Sequence, residues 1–218
     1  MEAAIRGLYA ITPDDADTAR LIARVEQALA GGARVVQYRN KTADAGLRHE
    51  QATALLALCR RDGVPFIVND HLELALAIGA DGVHLGGDDG DIAAARRALG
   101  PDRLLGASCY NRFELALAAR EAGADHVAFG AAFVSKTKPG AVHAPLSLYE
   151  RARRELGLPV VAIGGITADN ASALVSAGAA AVAVITALFD ADDIRAAAAE
   201  FSLAFTRPIP TSHKVESS

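Results

Sequence analysis

The chain has 218 residues and a formal net charge of −4, long enough for one substantial core. Acids and bases are interspersed along it, which argues against a general nucleic-acid or membrane-surface role but leaves room for a local basic pocket. Its two cysteines, Cys59 and Cys109, sit in apolar or helical context with no CxxC or zinc spacing and are expected as buried free thiols. The N-terminus has no apolar signal-peptide core, so the default expectation is a cytoplasmic protein.

Residues 8–12 read as a first short strand, and Asp17 or Thr18 is placed to cap a helix that runs to Ala30 and stops at Gly31-Gly32. A second strand over about 33–39 leads β-branched residues into the long polar side chains of Gln37, Arg39 and Lys41. These share one face if the strand continues, with Tyr38 and Asn40 on the other. Thr42 or Asp44 begins a helix ending at Arg61-Asp62-Gly63. Strand three, 65–68, finishes in Asn69-Asp70 and is followed by a short helix over 71–78. Strand four, 82–85, leads into the acidic loop Gly86-Gly87-Asp88-Asp89-Gly90-Asp91 and a helix over 92–99. Strand five covers 103–108, and Asn111 is placed to cap a helix to Glu121. Strand six is 126–129, and a long loop from 130 to about 145 precedes a helix at 146–156. Strand seven, 160–163, ends in Gly164-Gly165, with a helix from Thr167 or Asp169. Strand eight is 181–185, and one last helix covers roughly 187–204. The uncharged stretch 171–189 approaches the roughly 20 residues of a membrane span. Gly178, Ser172, Ser176 and Thr186 interrupt it, so helix, glycine stop and buried strand is the better reading.

Eight strands alternating with eight helices predict an α/β fold, a TIM (β/α)8 barrel. It forms a single catalytic domain over 1–206, followed by a loosely held tail at 207–218. A weak repeat supports this. Gly32, Gly79, Gly123 and Gly178 each stop a helix and feed an apolar strand, before strands two, four, six and eight. An open doubly wound sheet is the rival, but no GxGxxG follows the first strand.

Barrel active sites lie at the carboxyl ends of the strands, so those ends are read in turn. Asn69-Asp70 could merely cap a helix, Asp88–Asp91 could be a solvated turn, and Gly-Gly is commonly only a turn. His84 within a strand is more often a packing residue than a ligand, and no HxH or HExxH spacing suggests zinc. Shared location on one rim favours function over these separate explanations. Arg39, Lys41 and Lys138, helped by Asn69 and Ser108, suit a polyanion such as a diphosphate. Asp70 and one of Asp88 or Asp89 offer hard oxygen ligands for Mg²⁺. Ser135, Thr137, Gly165 and the backbone near Ile185-Thr186 suit a second phosphate. The rim shows no obvious catalytic base and no nucleophile–base pair, which suggests a transfer driven by leaving-group departure.

The motifs Tyr9-Ala10-Ile11-Thr12, Gln37-Tyr38-Arg39-Asn40-Lys41, Val68-Asn69-Asp70, Gly82-Val83-His84-Leu85-Gly86, Gly106-Ala107-Ser108, Thr137-Lys138 and Ala162-Ile163-Gly164-Gly165-Ile166 together resemble the thiamine-phosphate synthase family over about 7–200. The resemblance implies condensation of a pyrimidinylmethyl diphosphate with a thiazole phosphate, releasing pyrophosphate through a pyrimidinylmethyl cation. It implies that Gln37 contacts the pyrimidine, while Arg39, Lys41, Asn69, Ser108 and Lys138 hold the diphosphate. Of these, Arg39, Lys41, Ser108 and Lys138 are the expected catalytic set. Asp70 and Asp89 would hold Mg²⁺, and the loop of Ser135, Lys136 and Thr137, with Gly165, Ile185 and Thr186, would hold the thiazole phosphate. Gly87 stands where the family usually has Gln, and Ser135 and Thr186 exchange one hydroxyl residue for the other. The partners implied are two phosphorylated small molecules, with no nucleic acid and no membrane; a homo-oligomer is compatible. The rivals are a thiazole tautomerase on the same barrel and a non-catalytic sensor of thiazole phosphate or thiamine phosphate. The first needs no diphosphate cradle and the second has little use for a metal pair. An unrelated phosphosugar isomerase would need an acid–base pair at the rim.

Overall fold

In the computed structural model, which describes residues 5–86, 91–133 and 143–206, eight apolar runs pair in parallel and in chain order. The sheet closes between its first and last strands. The strands are β1 (Gly7–Ile11), β2 (Ala33–Tyr38), β3 (Phe66–Asn69), β4 (Gly82–Leu85), β5 (Leu104–Tyr110), β6 (His126–Phe129), β7 (Val160–Ile163) and β8 (Ala181–Val184). Between them run α1 (Thr18–Ala30), α2 (Ala45–Asp62), α3 (Leu72–Ile78), α4 (Ile92–Leu99), α5 (Phe113–Glu121), α6 (Leu146–Glu155) and α7 (Ala168–Ala177); α8 (Thr186–Phe189) and α9 (Ile194–Leu203) follow β8. This is the TIM barrel expected, and it excludes the open doubly wound sheet.

Period-two alternation sorts the strand residues into two cores. Tyr9, Ile11, Val35, Ile67, Ala128, Val161, Ala181 and Ala183 fill the barrel interior. Their neighbours Leu8, Ala10, Val36, Tyr38, Val68 and Val83 face outward into a second layer shared with helix residues such as Leu21, Val25, Leu55 and Leu56. Burial on both faces is why the strands read as continuous apolar runs. The repeat glycines have one backbone reason: Gly32, Gly79, Gly123 and Gly178 all take positive φ, from 70° to 114°, which lets each helix end turn directly into a strand.

Helix starts follow side-chain chemistry. Asp17 accepts from Arg20 N, Asp44 from Leu47 N, Asp91 from Ala93 N and Ala94 N, and Asp193 from Ala196 N. Each satisfies amides that the first helical turn leaves open. Three expectations are corrected. Strand β2 stops at Tyr38, so Arg39 and Lys41 lie beyond regular pairing. Strand β5 continues to Tyr110 through a register shift, and α5 is preceded by Arg112 with no side-chain cap, so Asn111 does not cap it. The last helical stretch is two helices, because the chain turns at Asp190 and restarts at the Asp193 cap.

Residues 171–189 fall into α7, β8 and α8, and among the described residues no helix is long and apolar enough to cross a membrane. Cys59 and Cys109 are buried and unpaired with each other. The tail at 207–218 lies outside the described residues.

Candidate active site

The rim is built outward from β2. Gln37 points into the barrel, where its amide nitrogen donates to the Tyr9 hydroxyl at 2.9 Å. Both are buried, and burial pushes the Tyr9 phenol far above its ordinary pKa, so it stays a neutral partner. Tyr38 turns the other way and donates to Gln51 Oε1 on α2 at 3.0 Å.

Past the strand, side chains rather than the ladder set the backbone. Thr12 Oγ1 accepts from Arg39 N at 2.8 Å and donates to Arg39 O at 2.9 Å. Asn40 is buried. Its oxygen accepts from Thr42 N, the Thr42 hydroxyl and Ala43 N. Its nitrogen donates to Asp15 O and Gln51 Oε1. Gln51 Nε2 also donates to Asp15 O, at 2.9 Å. This closed network holds the turn so that Arg39 and Lys41 project over the rim. The Arg39 guanidinium lies 3.3 Å from Asp14 Oδ1, which also accepts from Lys41 N at 2.8 Å.

Strand β3 supplies the facing wall. Asp70 takes a left-handed φ of 62°, and its N–H donates to His84 O at 2.9 Å. The residue preceding α3 is His71, without a side-chain cap, so Asn69 and Asp70 are not the helix cap that a bland reading would make them. Arg39, Lys41, Asn69 and Asp70 line one cleft of about 240 Å³ together with Tyr38, Asn40, Arg48 and His71. Three cations and one carboxylate in one cleft suit a multiply charged anion and its counter-ion. Arg48 was missed from sequence because nothing separates it from other surface-helix arginines. In the fold it is half-buried beside the cleft and donates to Ala43 O at 2.7 Å.

Ser108 on β5 is tied to the interior rather than to the cleft wall directly. Its Oγ lies 3.0 Å from His84 Nε2, and His84 Nδ1 lies 3.4 Å from His126 Nε2. His84 is thus a polar interior residue packed against His126, in keeping with the packing role read from its place in a strand.

Across the barrel, Gly164 and Gly165 adopt φ of 98° and 66°. A Cβ on Gly165 would sit 2.6 Å from Phe133 O, so only glycine lets the segment after β6 lie against this turn. Phe133 N donates to Gly164 O at 3.0 Å. Asn170 pins the turn from α7, accepting from Thr167 N and donating to Gly165 O. Ile185 precedes the short α8, which starts at Thr186. A short extra helix after strand eight, beside a strand-seven loop, is the usual phosphate position of such barrels. Asp88, Asp89, Ser135, Lys136, Thr137 and Lys138 lie outside the described residues.

A closed parallel barrel with basic, amide and carboxylate groups gathered in a cleft at its carboxyl rim belongs to the class of (β/α)8 barrel enzymes. The family model described as thiamine monophosphate synthase matches residues 8–188. The chain belongs to this family. It is 59% identical over 201 residues to the thiamine-phosphate synthase of Aromatoleum aromaticum, covering 92% of this chain and 97% of that one. It is 63% identical over 194 residues to that of Chromobacterium violaceum, covering 89% and 93%. The structure of thiamine phosphate pyrophosphorylase from Pyrococcus furiosus superposes with a TM-score of 0.83 at 35% identity, covering 94% of this chain and 96% of that one. Orotidine 5'-phosphate decarboxylase from Pyrococcus horikoshii, at 15% identity and a TM-score of 0.68, shares the fold alone.

Proposed function

We infer that the chain is a thiamine-phosphate synthase. It couples 4-amino-2-methyl-5-(diphosphooxymethyl)pyrimidine to 4-methyl-5-(2-phosphooxyethyl)thiazole, or its carboxylated form, and releases pyrophosphate. The observation that carries this reading is the cleft in which Arg39, Lys41 and Arg48 face Asn69 and Asp70. Its charge and donors match a diphosphate leaving group, and family membership supports the rest.

The bond between the pyrimidinylmethyl carbon and the diphosphate oxygen breaks, and its electron pair leaves with pyrophosphate. The thiazole nitrogen lone pair then forms the new carbon–nitrogen bond to the cation. Arg39, Lys41, Ser108 and Lys138 stabilise charge that grows on the leaving group. Gln37 meets the pyrimidine from the barrel floor. Gly165 with Ile185-Thr186, and the Ser135-Lys136-Thr137 loop, hold the thiazole phosphate, so that the nucleophile is positioned rather than activated. Asp70 fits Mg²⁺: it is a hard oxygen donor in the same cleft as the phosphate-binding cations, and Asp89 is the second ligand in this reading. When bound, the metal supplies Lewis-acid neutralisation of the diphosphate. The rival tautomerase activity would leave the cleft cations without a task. Burial pushes the Cys59 and Cys109 thiols up to about 12. Two inert reduced thiols are consistent with the cytoplasm, the compartment we assign.

The test is a coupling assay with both substrates, with and without Mg²⁺. Thiamine phosphate and pyrophosphate are expected in equal amounts, and only with the metal. No product at saturating substrates overturns the synthase reading.

A further inference from the structure

Asn69, His84, Gly106 and His126 are register partners across four adjacent strands, β3 to β6, and so lie on one line running across the sheet. His84 and His126 meet inside the barrel because Gly106, between them, has no side chain. A Cβ there would come within 2.3 Å of His126 Nε2 and 2.4 Å of His84 Nδ1. The ring centroids are 5.5 Å apart. His126 is fully buried, and its Nδ1 has no hydrogen-bond partner among the described residues. It plays no part in the proposed reaction, yet it stands at the inner end of a chain that reaches Ser108.

We propose that His126 is a positioning residue: through His84 it fixes which way the Ser108 hydroxyl donates. The argument is one of donors and acceptors. Burial and the neighbouring His84 hold the His126 pKa well below the ordinary histidine value, so its ring is neutral and carries one proton. On Nδ1 that proton would be an N–H buried without an acceptor, a rare arrangement. On Nε2 it donates to His84 Nδ1, 3.4 Å away. A neutral His84 with its Nδ1 so occupied carries its proton on Nε2 and donates to Ser108 Oγ at 3.0 Å. With its oxygen occupied as acceptor, Ser108 has its O–H left to point at an anion. The opposite tautomer chain would have Ser108 donate inward to His84 and present only lone pairs to the diphosphate. The proposal rests on the diphosphate role of Ser108 given above.

The test has two arms. Long-range nitrogen–proton NMR on the histidine-labelled protein, without substrate, reads the tautomers directly. His84 is expected with its proton on Nε2 and a bare Nδ1, and a proton on His84 Nδ1 overturns the proposal whatever the enzyme does. The second arm compares His126→Gln, whose amide N–H replaces Nε2–H, with His126→Phe, which keeps bulk but has no donor. Titration calorimetry with inorganic pyrophosphate and Mg²⁺ is the readout. His126→Phe is expected to weaken binding roughly tenfold, equivalent to about 1.4 kcal/mol, and His126→Gln to restore most of it. KM for the thiazole phosphate should be unchanged. Equal affinities in the two variants overturn the proposal, and should His126→Phe not fold, the NMR arm decides. If wild-type protein binds no pyrophosphate at all, the functional reading fails instead, and the tautomer result still stands.

Discussion

Asp70 holds a left-handed φ of 62°, a conformation that costs a non-glycine residue roughly 1–3 kcal/mol in general and persists mainly at functional sites. Aspartate tolerates it better than most residues, since its short polar side chain bonds locally. If the carboxylate serves the metal, backbone relief and loss of function should separate. Asp70→Gly should keep or raise the melting temperature while lowering coupling roughly 100-fold, the scale of losing one preorganised electrostatic contact. Asp70→Asn should lower activity in a way that extra Mg²⁺ partly restores. Thermal melts beside Mg²⁺ titrations of activity check this, and a fully active glycine variant would remove Asp70 from the site. The placement of Gln37 in the barrel and of Asp70 at the rim was legible in sequence because each sits at the carboxyl end of an apolar strand. His126 was not, since a histidine at the start of a strand reads the same whether its ring meets solvent, a ligand or another histidine.

The element that carries most of the site is β2 with the turn behind it. Alternation placed Gln37 inward and Tyr38 outward, and the structure agrees. Beyond Tyr38 the ladder ends, and Arg39 and Lys41 are aimed by Thr12, Asp14 and the Asn40–Gln51 network instead. Gln51 is fully buried and satisfies Tyr38, Asn40 and Asp15 at once. Gln51→Leu would leave the buried Tyr38 hydroxyl unpaired, at a general cost of ~1–3 kcal/mol, and would take one of two partners from Asn40 Nδ2 and Asp15 O, which stay bonded to each other. Denaturant unfolding should show a loss of about that size or more. In steady-state kinetics, KM for the pyrimidine diphosphate should rise more than kcat falls, since the cations lose their aim before their charge. A variant as stable as the parent would show that the network is dispensable. None of this was legible, because the partners of Asn40 lie 25 and 11 residues away along the chain.

At the scale of the whole barrel, Asp15 links α1 and, through Arg24, the end of α8 to the active-site turn. Its carboxylate pairs with Arg20 at 2.6 Å and Arg24 at 3.5 Å. Arg24 reaches on to Phe189 O and Asp190 at the end of α8, while Asp15 O receives Asn40 and Gln51. The Arg20 hydrogen bond, opposed by burial, holds the Asp15 carboxyl below its ordinary pKa. A lowered folded-state pKa contributes stability that is present above the unfolded value, near 3.9, and is lost as pH falls through the folded value. Asp15→Asn should therefore melt below wild type at neutral pH, with the gap closing as the pH drops below about 4. A pH-independent gap in calorimetry would assign the effect to packing instead.

Sequence alone determined the number and order of strands and the parallel barrel. Local periodicity, glycine stops and aspartate caps act within a few residues and need no tertiary information. The bent end of β5, the entry of Arg48 into the cleft and the His126–His84–Ser108 chain were decided only by the closed fold. The histidine chain depends on which side chains from distant strands come within hydrogen-bond distance of each other, and the other two on how neighbouring elements pair and pack. Barrel closure sets those distances, and no pattern along the chain encodes them.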